Sequence, residues 1–258
     1  MSENRNSNLY REFDLIKARN HFSKRTPASH QNAALSKLDA WFQKKTHAPH
    51  AGGIMVLPTG GGKTFTAVRF LCRGPLSAGY KVLWLAHTHH LLEQAYDSFA
   101  PRDKAKEKVA GLEVGLIAEP TTSLNIRVVS GTPGHFPVHT IKASDDVVII
   151  TLQTLTQAYK LKHPSLTNFL KAAGDKLLVV FDEAHHSPAP SYRDLIIQLR
   201  KSHSQMYLLG LTATPTYTDE TKKGWLKKLF PQGILYQVSA QNLMGAGILA
   251  KPISEEYA

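Results

Sequence analysis

The stretch Ile54-Met55-Val56-Leu57-Pro58-Thr59-Gly60-Gly61-Gly62-Lys63-Thr64 decides how this chain is read. An apolar run that fits a buried strand, Ile54 to Pro58, passes directly into three consecutive glycines and a Lys-Thr pair, and the helical pattern FTAVRFLCR follows. Glycines let the backbone wrap close to phosphate oxygens with amide N–H groups turned inward, and the dipole of the next helix adds attraction for an anion. In that geometry Thr59, Gly60, Gly61 and Gly62 form a cradle, Lys63 bridges β- and γ-phosphates, and Thr64 places its hydroxyl on Mg2+. The general pattern G-x-x-x-x-G-K-[ST] asks for glycine at position 57, where this chain has Leu57.

Outward from this loop, further apolar runs read as strands: Lys81 to Ala86, Asn125 to Ser130, Asp146 to Thr151, Leu177 to Asp182 and Met206 to Leu211. Most are continuous rather than alternating, as parallel strands covered on both faces are. Helices are predicted over Lys63 to Arg73, His90 to Phe99, Leu152 to Lys171 with a break at Pro164, and Tyr192 to Lys201. Strand and helix alternate, so the class is α/β: a mostly parallel sheet flanked by helices, with the phosphate loop after the first strand. Such a fold places its ligand beyond the carboxyl ends of the strands. Residues 1–50 are polar and helix-leaning, with an amphipathic stretch from Leu35 to Phe42, and read as an extension of a main domain over 51–250. Residues 101–143 show no readable periodicity, and the chain contains no repeat or low-complexity tract.

The chain has 258 residues, of which 42% are apolar, enough to bury a core and to exclude disorder throughout. Lys and Arg number 31 against 20 Asp and Glu, and the net charge of +11 points to a polyanionic partner, nucleic acid before membrane. A single cysteine, Cys72, excludes a disulfide framework and points to a reducing, cytoplasmic setting. No apolar run reaches the roughly 18 residues of a membrane span, and the polar opening MSENRNSNLYREFD is not a signal peptide.

LLVVFDEAHH, Leu177 to His186, ends a hydrophobic strand in two carboxylates at the sheet edge where the phosphate loop lies. Asp182 is suited to hold Mg2+ and Glu183 to orient or deprotonate an attacking water. Alone, Asp-Glu reads equally well as a solvated acidic turn. The phosphate loop on another strand of the same pattern shifts the balance to the metal-nucleotide reading.

The ordered set resembles superfamily 2 helicases and translocases. Pro58 to Thr64 resembles motif I and Asp182-Glu183-Ala184-His185 the DEAH box, while Leu211-Thr212-Ala213-Thr214-Pro215 resembles motif III. Ala86 to Gln94 looks like motif Ia and Ile150 to Leu155 like the Thr-x-Gln-x-Leu segment. The resemblance spans roughly residues 25–250, and glycine at position 57 is commonly absent in this superfamily. It implies a RecA-like domain binding ATP and Mg2+: Lys63 and Thr64 on phosphate and metal, Asp182 on the metal, Glu183 on the hydrolytic water. It further implies that His185, Thr212 and Thr214 couple the nucleotide state to nucleic acid and a partner domain, and that Thr88, Gln94, Thr151 and Gln153 meet a nucleic-acid backbone. His30-Gln31 resembles the Q-type motif, with Gln31 reading adenine, although Arg25 stands six residues ahead of it. Thr132-Pro133-Gly134 precedes the Asp146–Thr151 strand rather than following it and is read as turn chemistry. With DEAH rather than DEAD, the look is closer to DNA-acting members such as the motor subunits of type I and type III restriction enzymes and related repair helicases.

Superfamily 2 motors use two RecA-like domains, and motifs V and VI do not occur after Pro215, so residues 251–258 read as the start of a linker toward a second domain. The chain by itself is expected to hydrolyse ATP weakly. A nucleotide-gated binding module without unwinding activity is the alternative; a small-molecule phosphotransferase leaves the DEAH and Thr-Ala-Thr segments without a task. Thirteen histidines raise a zinc hypothesis, but none has the spacing of a closed site. Cys72 fits a small core residue. Lys222, Lys223, Lys227 and Lys228 flank Trp225, either as a nucleic-acid face with a stacking ring or as solvated charges over packed Trp225, Leu226, Leu229 and Phe230; a charge run on a helix favours the second.

Overall fold

Strands made of apolar residues throughout are stable only where both faces are covered, and the chain supplies helices for each face. A computed structural model describes residues 9–44, 46–187, 189–214 and 220–250. Its strands are β1 (Tyr10–Asp14), β2 (Ala51–Val56), β3 (Lys81–Ala86), β4 (Ser123–Val129), β5 (Val147–Thr151), β6 (Leu177–Asp182), β7 (Tyr207–Thr212) and β8 (Ile234–Gln237). Its helices are α1 (Leu15–Arg19), α2 (Ser29–Gln43), α3 (Lys63–Arg73), α4 (His89–Phe99), α5 (Lys104–Ala110), α6 (Leu152–Lys160), α7 (Pro164–Ala173), α8 (Pro190–Ser202), α9 (Glu220–Leu229) and α10 (Ala240–Gly245).

The strands form one eight-stranded sheet in the order β1-β4-β5-β3-β6-β7-β2-β8. All neighbours are parallel except β1, which runs antiparallel to β4 with Tyr10 opposite Arg127. The two core clusters divide the strands by alternation: on β6, Leu178 and Val180 join one cluster while Leu177, Val179 and Phe181 join the other. The first cluster is completed by residues of α2, α3 and α4 and the second by residues of α6, α7 and α8. The α/β class, the mostly parallel sheet and the flanking helices are as the sequence pattern predicts.

Two strands have no counterpart in the sequence reading. Residues 10–14 form a strand inside the extension read as helical, because only Phe13 of β1 is buried and the rest lies at an open edge, where apolar patterning is weak. The phosphate loop therefore follows β2, the first parallel strand, and not the first strand of the chain. β8 is the opposite edge and has no buried residue. Pro215 of the motif III segment and the proposed linker 251–258 lie outside the described residues, as does the side chain of Lys222.

β7 lies between β2 and β6, and Gly210 stands opposite Ile54 on one side and Phe181 on the other. A Cβ at Gly210 would meet Ala184 Cβ at 2.8 Å and the Phe230 ring at 2.9 Å, so the acidic strand end packs onto this bare backbone. Overpacking a rigid core costs roughly 1–3 kcal/mol. Gly210→Ala is expected to lower the unfolding free energy by that amount, read as a lower urea midpoint at an unchanged m-value; an unaltered midpoint would show that the close approach at Gly210 is not a constraint.

Candidate functional site

Parallel pairing brings the carboxyl ends of the central strands to one edge. Val56 stands opposite Thr212, Leu211 opposite Asp182, and Ala86 opposite Thr151. Beyond β2 and β6 the phosphate loop and the acidic turn converge on a cavity of about 350 Å³. Thr59, Gly60, Gly62, Lys63 and Thr64 line one side, Asp182 and Glu183 another, and Phe65, Leu91, Gln94 and Ser98 complete the wall.

The loop requires its glycines. Gly60 and Gly62 adopt φ of +80° and +81°, a region costly for residues with a Cβ. Gly62 is the N-cap of α3 and provides no side-chain cap, so the first-turn amides of the helix have no side-chain acceptor. The loop is held from behind: the Gly61 carbonyl accepts from His30 Nε2 at 2.9 Å and from Gln31 Nε2 at 3.3 Å, and Gln31 Oε1 accepts the Ala28 N–H at 2.9 Å. A Cβ on Gly62 would lie 2.3 Å from Gln31 Nε2. The structure thus gives Gln31, expected to read adenine, hydrogen bonds that fix the phosphate loop.

Lys63 Nζ lies 3.0 Å from Glu183 Oε1. Glu183 adopts the left-handed conformation, φ +55° and ψ +57°, a strained geometry for a side chain of its size that turns it back over the loop. His185 Nδ1 is 3.3 Å from the other Glu183 oxygen and 3.1 Å from Thr212 Oγ1. The Thr212 hydroxyl donates to the Thr214 carbonyl and accepts the Thr214 N–H, both at 3.1 Å, so its proton is committed and His185 Nδ1 acts as donor. His185, Thr212 and Thr214 are therefore in one network with Glu183.

Asp182 is only 2% exposed. Burial, then the neighbouring Glu183 charge, pushes its carboxyl up to about 6, against the pull of Lys63 and of the Glu183 N–H, which donates to Oδ1 at 3.0 Å. A buried carboxylate so weakly compensated fits a cation. Mg2+ takes one or two protein carboxylates together with phosphates and waters, so Asp182 and the Thr64 hydroxyl suffice as protein ligands. Glycine loop, uncapped helix and lysine likewise fit a polyphosphate.

The expected nucleic-acid contacts are distributed differently. Thr88 is exposed and caps α4, accepting the Leu91 N–H at 3.4 Å. Thr151 is buried and caps α6, accepting the Thr154 N–H and donating to the Thr154 hydroxyl at 2.7 Å, whereas Gln153 is exposed. Gln94 is exposed and lines both this cavity and a neighbouring one with His90 and Arg102. Trp225 is partly buried, with Arg193 and Lys228 at 4.1 and 4.5 Å from its ring centre, while Leu229 and Phe230 are buried and Lys227 and Lys228 exposed. Cys72 is fully buried, and desolvation holds its thiol well above the usual range.

Several contributing residues were missed in the sequence. His30 was adjacent to the residue considered and is the closer donor to Gly61. Arg69 donates to the Arg25 carbonyl at 2.7 Å and pairs with buried Glu113 at 3.6 Å, fixing the segment before α2 onto α3. The His87 and His186 rings pack at 4.1 Å, and burial followed by the neighbouring imidazoles lowers His87 to about 4, so the contact between the motif Ia segment and the acidic turn is uncharged at neutral pH. The Thr132–Gly134 turn touches α4 through Thr132 Oγ1 and His89 Nε2 at 2.7 Å.

A family model described as type III restriction enzyme, res subunit, matches residues 24–217. Among curated proteins none matches the chain. Among solved structures, the helicase domain of Hef from Pyrococcus furiosus superposes with a TM-score of 0.53 at 22% identity, over 83% of this chain and 38% of that one. Dbp5 of S. cerevisiae bound to RNA and ADP BeF3 superposes with 0.53 at 19% identity, over 88% and 50%. A nuclease-deletion mutant of the type ISP restriction-modification enzyme LlaGI, in complex with a DNA substrate mimic, gives 0.52 at 16%, over 87% and 21%. At these identities the likeness shows the fold alone, and the chain spans half or less of each of these three.

The carboxyl of Asp182 has a folded value above its ordinary 3.8, so the stability linked to it is complete below pH 3.8 and is lost as pH rises through about 6. Asp182→Asn keeps the group neutral throughout. In metal-free buffer the variant is expected to match the parent near pH 3 and to exceed its unfolding free energy by about 3 kcal/mol at pH 8. Urea titrations at both pH values check this, and a pH-independent difference would refute the buried-charge account.

Proposed function

The chain belongs to the family of the type III restriction enzyme res subunit, and we propose that it serves as the ATP-binding motor domain of an ATP-dependent nucleic-acid helicase or translocase. The observation that carries this reading is the cavity that brings Lys63, Thr64, Asp182 and Glu183 together. Bound Mg·ATP supplies the phosphoanhydride whose hydrolysis drives the motor. The chain's own residues bind and position it: the Gly60–Gly62 turn and the open N-terminus of α3 take phosphate oxygens, Lys63 supplies charge, and Asp182 with Thr64 holds the cation. Lys63 and Glu183 pair across the cavity, so a polyphosphate competes with Glu183 for Lys63 and frees Glu183 to take a proton from water. The network from Glu183 through His185 to Thr212 and Thr214 then reports the change, and we assign it the coupling role. Gln31 fixes the loop and, in this reading, also meets the base.

For substrate we favour DNA over RNA, supported by the family and by the DEAH sequence, with Thr88, Thr151 and Gln153 at the edge where a backbone passes and Gln94 on the nucleotide side. Restriction, antiviral defence and repair all use such motors. A second RecA-like domain, joined through residues 251–258, completes the ATP site with an arginine in this proposal, and the 258 residues alone turn over slowly. A cytoplasmic location accords with the single buried cysteine; among the described residues no helix is long and apolar enough to cross a membrane.

Lys63→Ala is expected to weaken ATP binding about 100-fold or more. Glu183→Gln is expected to bind ATP within a few-fold of the parent while hydrolysis falls roughly 10²- to 10⁴-fold. Calorimetric titration and single-turnover hydrolysis measure the two effects. Normal hydrolysis by Glu183→Gln would remove Glu183 as the base, and unchanged binding by Lys63→Ala would remove the phosphate-loop assignment.

A further inference from the structure

Between α1 and α2 the chain builds a surface groove of about 280 Å³ that shares no lining residue with the nucleotide cavity. His21, Phe22, Lys24, Lys104, Glu107 and Lys108 line it. Its floor is a short ladder: Leu112 N–H donates to the His21 carbonyl at 2.9 Å, Ser23 N–H to the Leu112 carbonyl at 2.9 Å, and Lys24 N–H to the Ala110 carbonyl at 3.0 Å. Side chains alternate along an extended segment, so Ser23 is buried while Phe22 and Lys24 turn outward together. Gly111, with φ of +73°, lets the two backbones close, since a Cβ there would stand 2.3 Å from the Phe22 carbonyl oxygen. Phe22 is thus fixed 51% exposed by main-chain hydrogen bonds.

The charges around it are one-sided. Lys104 and Lys108 stand one turn apart on α5, a like-charge spacing that disfavours the isolated helix. Glu107, the only carboxylate lining the groove among the described residues, is taken by Arg11 at 2.9 Å and by Lys104 at 3.7 Å, and the Arg11 hydrogen bonds lead in holding it below the usual carboxylate range. Lys24 and Lys108 have no acidic partner among the described residues. A fixed exposed ring set beside the unpaired amines of Lys24 and Lys108 matches what single-stranded nucleic acid needs, a platform for a base and cations for the adjoining phosphates.

We propose that this groove is an accessory site for single-stranded nucleic acid, with Phe22 stacking on a base and Lys24, Lys104 and Lys108 meeting the phosphates beside it. The inference rests on the reading that the partner is nucleic acid, and adds a contact outside the motif-bearing strand edge.

Anisotropy titration of the chain against labelled single-stranded oligo(dT) tests it. Phe22→Ala is expected to weaken binding about fivefold or more. The double variant Lys24→Ala/Lys108→Ala is expected to reduce the slope of log K against log salt by about 1.4. Phe22→Trp should retain affinity and show indole quenching on oligonucleotide addition, which a loss of folding cannot imitate. ATP binding should stay within twofold in all three variants. If the parent binds oligo(dT) and the variants bind equally well without quenching, the groove proposal fails while the motor reading stands. If the parent binds no oligonucleotide at low salt, the nucleic-acid reading fails with it. Binding to phosphatidylserine vesicles that the lysine variants lose, with oligo(dT) binding unchanged, overturns the proposal in favour of a membrane face.

Discussion

Burial of the Asp182 carboxyl at the end of a strand with no exposed residue is the constraint on which the site depends. A carboxylate in that position is destabilising without a cation; the Glu183 charge adds to that cost, while Lys63 and the Glu183 N–H limit it. The Glu183 N–H donates to it, Lys63 opposes its charge, and Glu183 is turned away through a left-handed backbone so that its own charge is shared with Lys63 and His185. The bare backbone of Gly210 lets the turn after Asp182 sit close over β7. The burial of this one group is thus unfavourable in itself, and the fold supplies the stability that holds it there.

From this centre two chains of contact lead outward. One runs through His185 to Thr212 and Thr214 at the end of β7, the strand lying between the phosphate loop and the acidic turn. The other runs through the His186 ring to His87 at the end of β3, next to Thr88. The His87–His186 contact is a packing contact between uncharged rings at neutral pH, whereas the His185 contact is polar and involves the carboxylate directly.

Most of the sheet was legible because its strands are apolar on both faces: β3 and β6 fall where KVLWLA and LLVVFD stand, and α3 begins at Lys63. The edges were not legible. β1 buries one residue and β8 none, so neither has a periodicity to read. The acidic turn and glycine loop were recognisable because short-range backbone needs determine their residues. The role of His30 depends on a carbonyl of the phosphate loop, and that of Gly111 on the approach of residues 21–23, contacts that no local pattern encodes. Gln94 shows the same limit. It belongs to a segment resembling motif Ia, and its place on α4, one turn beyond Leu91, puts it on the wall of the cavity beside the glycine loop as well as on a neighbouring one.

A parallel sheet delivers several helix N-termini to one edge, and each is an attractive site for an anion. The helices that follow β2, β3 and β5 differ in their caps. Thr88 closes α4 and Thr151 closes α6 with side-chain oxygens, while α3 begins at Gly62, which has none to offer. A capped helix has already spent one of its free amides, and the cap occupies the space where a phosphate oxygen would stand. Glycine instead of threonine thereby leaves the start of α3 open to an anion where those of α4 and α6 are closed by a side chain. Capping also explains why Thr88 and Thr151, whatever they meet at the edge, act first on their own helices, fixing the ends of β3 and β5 against which the acidic turn and the cavity wall are set.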